Sequence, residues 1–239
     1  MNKVQEIKSA LEFLSMPEKK EFYPRFFKAG PGEYAEGDQF IGVTVPDQRK
    51  IVKEFWNKIS LDELSELLSS KIHEHRHTAL LILVTKFEKS KSPEEKRKIV
   101  DFYLANKKFI NNWDLVDNSC YKIVGRYCFE NQCDNVIRDL AEEDNLWSKR
   151  IAMVSTMWHA KKENSFDLLK EIALKNLYHE HDLMHKANGW LLREMGEKNE
   201  AELLEFLKNH YHKMPRTTLR YAIEKLDEKV RQDFLKGRV

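Results

Sequence analysis

Four residues, Trp113, Asp117, Arg150 and Trp190, are of types that together suit a cationic ligand carried on a phosphate backbone. A carboxylate opposes positive charge, indole faces attract cations by about 0.5–2 kcal/mol each, and a guanidinium grips a phosphate through charge-assisted hydrogen bonds. Trp113 and Asp117 lie four apart in Asn111-Asn112-Trp113-Asp114-Leu115-Val116-Asp117-Asn118, so on a helix they share one face. The segments Trp147-Ser148-Lys149-Arg150 and Asn188-Gly189-Trp190-Leu191-Leu192-Arg193-Glu194 each begin a similar helix, about 35 to 40 residues further on each time, the length of a helical repeat. Stacked repeats would set the four side by side. Read singly, Asp117 serves equally well to cap its helix or to pair with Arg150, and each tryptophan to fill core.

The elements that must position these residues are helical. Hydrophobic residues make up 41% and charged residues 33% of 239, with 8 Gly and 6 Pro, a composition for amphipathic helices rather than for sheets or disorder. Asn2 is placed to cap a helix over Lys3 to Leu14, Pro17 stands in a first turn, and Pro24 is expected to kink or break that second helix. Ser60 before Asp62-Glu63 and Ser92-Pro93-Glu94-Glu95 open two more. Inward stripes at helical period are Ala79, Leu80, Leu83, Val84 and Phe87; Leu115, Val116, Ser119, Ile123 and Tyr127; and Ile151, Ala152, Ser155 and Trp158. Helix starts near His73, Asn112, Leu146, Asp182 and Pro215 recur at intervals of roughly 33 to 39 residues, the period of HEAT-like arrays. The expectation is an all-α chain: a right-handed α-α superhelix, a HEAT-like or ARM-type solenoid with one concave binding face, counted as a single domain over residues 1–239.

A solenoid stacks equivalent positions into a row. Arg76, Arg150, Lys186 and Arg220 stand early in their helices, each just before a small residue, and form either a ladder of positive charge spaced for a phosphate backbone or solvated charges at helix edges. The basic excess is C-terminal, with 23 Lys+Arg against 25 Asp+Glu in residues 1–144 and 18 against 14 in residues 145–239. Gly30, Gly32 and Gly37 have no following Lys-Ser/Thr and no preceding strand, which makes Gly30 to Asp38 a connecting loop rather than a phosphate cradle. His73-Glu74-His75-Arg76-His77 fits H-E-x-x-H to the letter. It lies at a helix start, carries His and Arg where a buried metal would want apolar neighbours, and has no third His at the required spacing, so no metal is assigned. His181 and His185 read as surface residues, Trp147 and Trp158 as core. Trp113 stands among polar residues that leave a face open, and Gly189 beside Trp190 would let another chain or ligand come close. Cys120, Cys128 and Cys133 have no C-x-x-C pair and read as buried free thiols. No apolar run approaches a membrane span and the start lacks a signal-peptide pattern, so a cytoplasmic location is expected.

Together, Trp113-Asp114-Leu115-Val116-Asp117, Asp144-Asn145-Leu146-Trp147-Ser148-Lys149-Arg150-Ile151-Ala152 and Lys186-Ala187-Asn188-Gly189-Trp190-Leu191-Leu192-Arg193-Glu194 resemble the HEAT-like DNA alkylation repair glycosylases, the AlkD family. The resemblance runs from about Phe26 to the C-terminus. It implies that Asp117 is the catalytic carboxylate, Trp113 and Trp190 the lesion-facing aromatics and Arg150 the catalytic-site arginine; Lys149, Lys186, Arg76, Arg193 and Arg220 are, from the basic residues themselves, the expected DNA contacts. The implied reaction is hydrolysis of the N-glycosidic bond of cationic N3- and N7-alkylated purines in double-stranded DNA, with the lesion still stacked and without metal or small-molecule cofactor, by a monomer. Such a base leaves neutral, so one carboxylate that stabilises an oxocarbenium-like sugar and directs a water suffices. This chain departs from the family's best-known members in a longer Gly30 to Val43 connection and in offering Phe26 and Phe27 where a Tyr approaches DNA. A DNA-binding relative without turnover and a HEAT-type protein-interaction scaffold are the alternatives.

Overall fold

The computed structural model describes residues 2–163 and 165–239, and among these every regular element is helical. The chain divides into two compact units, residues 1–119 and 120–239. No helix among the described residues is long and apolar enough to cross a membrane.

The first unit contains α1 (Lys3–Phe13), α2 (Pro17–Phe26), α3 (Val45–Phe55), α4 (Leu61–Leu68), α5 (His73–Lys89), α6 (Pro93–Ala105) and α7 (Trp113–Asp117). Their starts follow the sequence. Asn2, Thr44, Ser60 and Ser92 each accept a backbone N–H of the first turn, and Ser60 with Glu63 closes a reciprocal capping box. Pro24 does not break α2, contrary to expectation: it sits inside a helix that ends two residues later at Phe26. The hydrogen bond that this proline forgoes is the one to the carbonyl four residues back, at Lys20, and the helix continues only two residues past it. The axis of the unit is α5, against which α1, α3, α4, α6 and α7 all pack. From His73 to Val84 every residue of α5 is buried, so this helix is enclosed on all sides, and its first turn places two imidazoles beside a carboxylate and a guanidinium in the interior.

The second unit contains α8 (Arg126–Asn131), α9 (Asn135–Glu142), α10 (Leu146–Ser155), α11 (Met157–Glu163), α12 (Asp167–Lys175), α13 (Asp182–Lys198), α14 (Glu200–His210), α15 (Arg216–Ala222) and α16 (Glu228–Lys236). A π-helical stretch, Tyr121–Gly125, precedes α8. Gly125 there meets the Ser155 carbonyl so closely that a Cβ would lie 2.3 Å from its oxygen. The core forms where α10 packs on α9 and α13, and α13 on α14 and α15. Gly189 makes the last contact possible. An added Cβ would stand 2.4 Å from the Tyr221 Cβ and 2.6 Å from the Thr218 carbonyl oxygen, so what the small residue admits is α15 of the same chain, not the second chain or ligand expected from sequence.

Candidate functional site

Five residues make α7, too short to persist alone, and its geometry comes from what holds its first turn. The Asn112 Oδ1 accepts the Trp113 N–H at 2.8 Å, and its Nδ2 donates to the Phe27 carbonyl at 3.4 Å. Asp114 is buried; its Oδ1 accepts the Leu115 N–H at 2.8 Å, and its Oδ2 lies 2.8 Å from the His73 Nε2. The other ring nitrogen of His73 faces the Asp38 carboxylate at 3.4 Å, and Asp38 also takes a 2.5 Å hydrogen bond from the Arg76 Nη2. One buried network thus ties the Gly30 to Val43 connection to α5 and α7.

Burial by itself pulls the His73 imidazole toward neutrality, but the facing Asp114 charge and the hydrogen bonds to Asp114 and Asp38 outweigh it and raise the pKa to about 9. The same contacts overcome burial in the opposite direction for the two carboxylates, whose pKa values are lowered: by the His73 charge above all at Asp114, and by the His73 and Arg76 contacts at Asp38. At neutral pH the trio is ionised, and both imidazole N–H groups donate. One turn on, burial lowers His77 to about 4, and it stands neutral with its Nδ1 2.7 Å from the Gln48 Oε1. Glu74 turns the other way and accepts backbone N–H groups from Ile41, Gly42 at 2.7 Å and Val43. A carboxylate receiving successive amides clamps the connection onto α5. Gly42 is required in that clamp, because its φ of +84° and a Cβ position 2.3 Å from the Met16 carbonyl oxygen both exclude a side chain.

Above the network lies an aromatic column. Phe27 stacks on His73 with ring centroids 4.6 Å apart, on Phe40 at 5.4 Å, and on Trp113 at 5.6 Å. Phe26 meets Trp113 edge-on at 5.9 Å and is 47% exposed. Trp113 and Asp117, at the two ends of α7, are both half-buried. The expected open face of Trp113 is therefore there, with one side of the indole backed by Phe27.

In the second unit Arg150 is 4% exposed and its Nη1 donates to the Leu183 carbonyl at the start of α13. Lys149 donates to the Ala141 carbonyl at 3.0 Å. Trp190 is half-buried with its Nε1 hydrogen-bonded to the Glu194 Oε1 at 3.0 Å. Lys186 pairs with Asp182 at 2.7 Å one turn earlier, Arg193 pairs with Glu224, and Arg220 is exposed.

One expected DNA contact is corrected outright. Arg76 is 3% exposed, and its guanidinium is engaged by Asp38 and by the Ser70 and Lys71 carbonyls at 3.0 and 3.3 Å. A side chain so enclosed is a structural cation, so the ladder of basic residues does not begin there. Cys133 is half-buried rather than buried, and Trp158 is half-buried between the Arg126 and Lys162 cations. Sequence reasoning missed His73, Glu74, Asp38 and Asp114 as a set. The available signal was six consecutive polar residues, His73 to Thr78, running straight into Ala79-Leu80-Leu81-Ile82-Leu83-Val84: a helix apolar all round after its first turns is enclosed, and polar groups at its head must find partners indoors.

These features define an all-helical protein that presents an indole and a carboxylate from a short helix seated on a buried ionic base. Matching a family model over residues 7–226, the chain belongs to the family described as DNA alkylation repair enzyme. Membership implies an enzyme of DNA alkylation repair with DNA as substrate. The fold is similar to that of a solved structure, the "predicted DNA alkylation repair enzyme from Enterococcus faecalis", with a TM-score of 0.69 at 18% identity, over 91% of this chain and 99% of that one. No curated protein matches the sequence.

Proposed function

We propose that the protein is a DNA glycosylase that hydrolyses the N-glycosidic bond of cationic N3- and N7-alkylated purines in double-stranded DNA, in the HEAT-like AlkD manner and without flipping the base. The observation that carries this reading is α7: Trp113 and Asp117 stand one turn apart on a helix whose first turn is locked from beneath. An indole face attracts the cationic lesion. The Asp117 carboxylate stabilises the positive charge that develops on the sugar as the glycosidic bond lengthens and directs a water at the anomeric carbon. The alkylated base departs neutral, so its leaving needs no strong general acid. Arg150, enclosed and donating to the Leu183 carbonyl in the free protein, is the proposed phosphate-binding arginine and has to reorganise to meet a backbone phosphate, and Trp190 is the second aromatic of the lesion site. Lys149, Lys186, Arg193 and Arg220 are the proposed further phosphate contacts.

This chemistry discriminates by the charge and lability of the leaving base, and so tolerates bulky adducts. The protein works as a monomer in the cytoplasm and belongs to a subgroup set apart by the Gly30 to Val43 connection. The test is release of free 7-methylguanine and 3-methyladenine from methylated duplex DNA in the presence of a chelator, with Asp117→Asn alongside. Release by the parent and not by the variant supports the reading. Tight, salt-sensitive DNA binding without release replaces it with a DNA-binding relative, and neither release nor binding replaces it with a scaffold.

A further inference from the structure

The ionic network beneath α7 is more elaborate than folding requires. Enclosed ion pairs add little net stability over apolar side chains of similar size, because desolvation offsets most of their attraction. Their recurring use is to fix one arrangement among several. Here two of the network's connections, through Asp114 and through Phe27, lead to Trp113 and the helix that carries Asp117.

Two routes start at His73. Its Nε2 holds the Asp114 Oδ2 at 2.8 Å, Asp114 directly follows Trp113, and the Asp114 carbonyl in turn accepts the Asn118 N–H at 3.1 Å and the Asn118 Nδ2 at 2.9 Å. Its ring stacks on Phe27, which also stacks on Trp113, while the Phe27 carbonyl receives the Asn112 side chain that caps α7. A displaced His73 would loosen both the backbone beside Trp113 and the ring packed against it. We propose that His73 is a positioning residue for base excision: through Asp114 and Phe27 it fixes the orientation of Trp113 and the seat of the helix that carries Asp117. The proposal rests on the glycosylase reading above for its catalytic consequence, and on the geometry alone for its effect on Trp113.

The groups that surround the imidazole are few. Asp38 faces it from the connection and Asp114 from α7; Glu74, Arg76 and His77 belong to its own helix; Tyr23 stands near from α2, its phenol pushed up by burial and by Glu74 and Asp114. Asp38 and Asp114 are held ionised and His77 neutral at pH 7 to 10, so His73 is the group of the network that changes charge on the way to pH 10.

The experiment uses the full chain labelled with fluorotryptophan, the Trp113 signal being assigned by its loss in Trp113→Phe. In the parent that signal is expected to shift with a single titration near pH 9, the value set by the Asp114 and Asp38 contacts, and to stay still in His73→Gln. A Trp113 signal that does not move between pH 7 and 10 overturns the proposal, and this arm needs no His73 variant to fold. In single-turnover excision of 7-methylguanine, His73→Gln is expected to slow the step at saturating protein by roughly tenfold or more, as small displacements of catalytic groups do. DNA affinity should stay within about twofold. His73→Gln excising at the parental rate, or losing affinity and rate in equal measure, also overturns it. A parent that releases no base removes the glycosylase reading alone, and the fluorine titration then still decides whether His73 orients Trp113.

Discussion

Raising the pH from 6.5 to 9 is expected to destabilise the first unit by an amount that can be worked from one imidazole. A group whose pKa is raised on folding stabilises the native state fully below its unfolded value and loses that contribution as pH climbs through the folded one. For His73 the two values are 6.5 and about 9, and at about 1.4 kcal/mol per pH unit the span amounts to about 3 kcal/mol. On the acid side the sign reverses. His77, neutral in the fold and lowered by burial to about 4, stabilises above 6.5 and costs about 3 kcal/mol by the time pH has fallen to 4; His75, lowered by burial and by the Lys8 and Arg76 charges, acts in the same direction. Stability should therefore peak near pH 6.5 and fall on both sides, more steeply toward acid. Urea unfolding followed by circular dichroism at half-unit steps from pH 5 to 9.5 measures it. His73→Gln should remove the alkaline limb and leave the acid limb in place. A parent whose stability is flat or rising from pH 6.5 to 9, or an alkaline limb that survives His73→Gln, would refute the reasoning.

Glu74→Gln removes the charge that receives the Ile41, Gly42 and Val43 amides; a loss of about 2 kcal/mol and new protease cleavage within residues 36–43 are expected in urea unfolding and limited proteolysis. Gly189→Ala forces a methyl to within 2.4 Å of Tyr221 and should destabilise the second unit by about 1–3 kcal/mol, read from the urea midpoint at unchanged slope. Arg220→Ala, at an exposed cation, should weaken DNA binding and reduce the slope of log affinity against log salt by roughly one. Arg76→Lys, at a cation engaged indoors by Asp38, should leave that slope unaltered; titrations from low to moderate salt distinguish the two.

Much of this molecule was legible in its sequence. Helix starts at His73, Leu146 and Asp182 fall where the period places them, because hydrophobic period acts within a turn or two and does not depend on the rest of the chain. The stripe from Ala79 to Phe87 is buried for the same reason. The pairing of Trp113 with Asp117 on one face needs only helical geometry. Local rules were weakest where a distant segment decided the outcome: Gly189 serves α15 rather than a ligand.

Tertiary structure alone decided the fate of the charged residues. From sequence, Arg76 resembles Arg220, since both are basic residues early in a helix just before a small one; yet Arg220 is exposed and Arg76 is enclosed with Asp38. The H-E-x-x-H pattern likewise says nothing of its partners, which arrive from Asp38, Gly42, Gln48 and Asp114. A helix propensity or a cap is a property of a few adjacent residues, and the sequence determines it. Whether a charge meets water, a phosphate or a buried carboxylate depends on which distant segments close over it, and only the folded chain brings residues 38, 73 and 114 within hydrogen-bond reach.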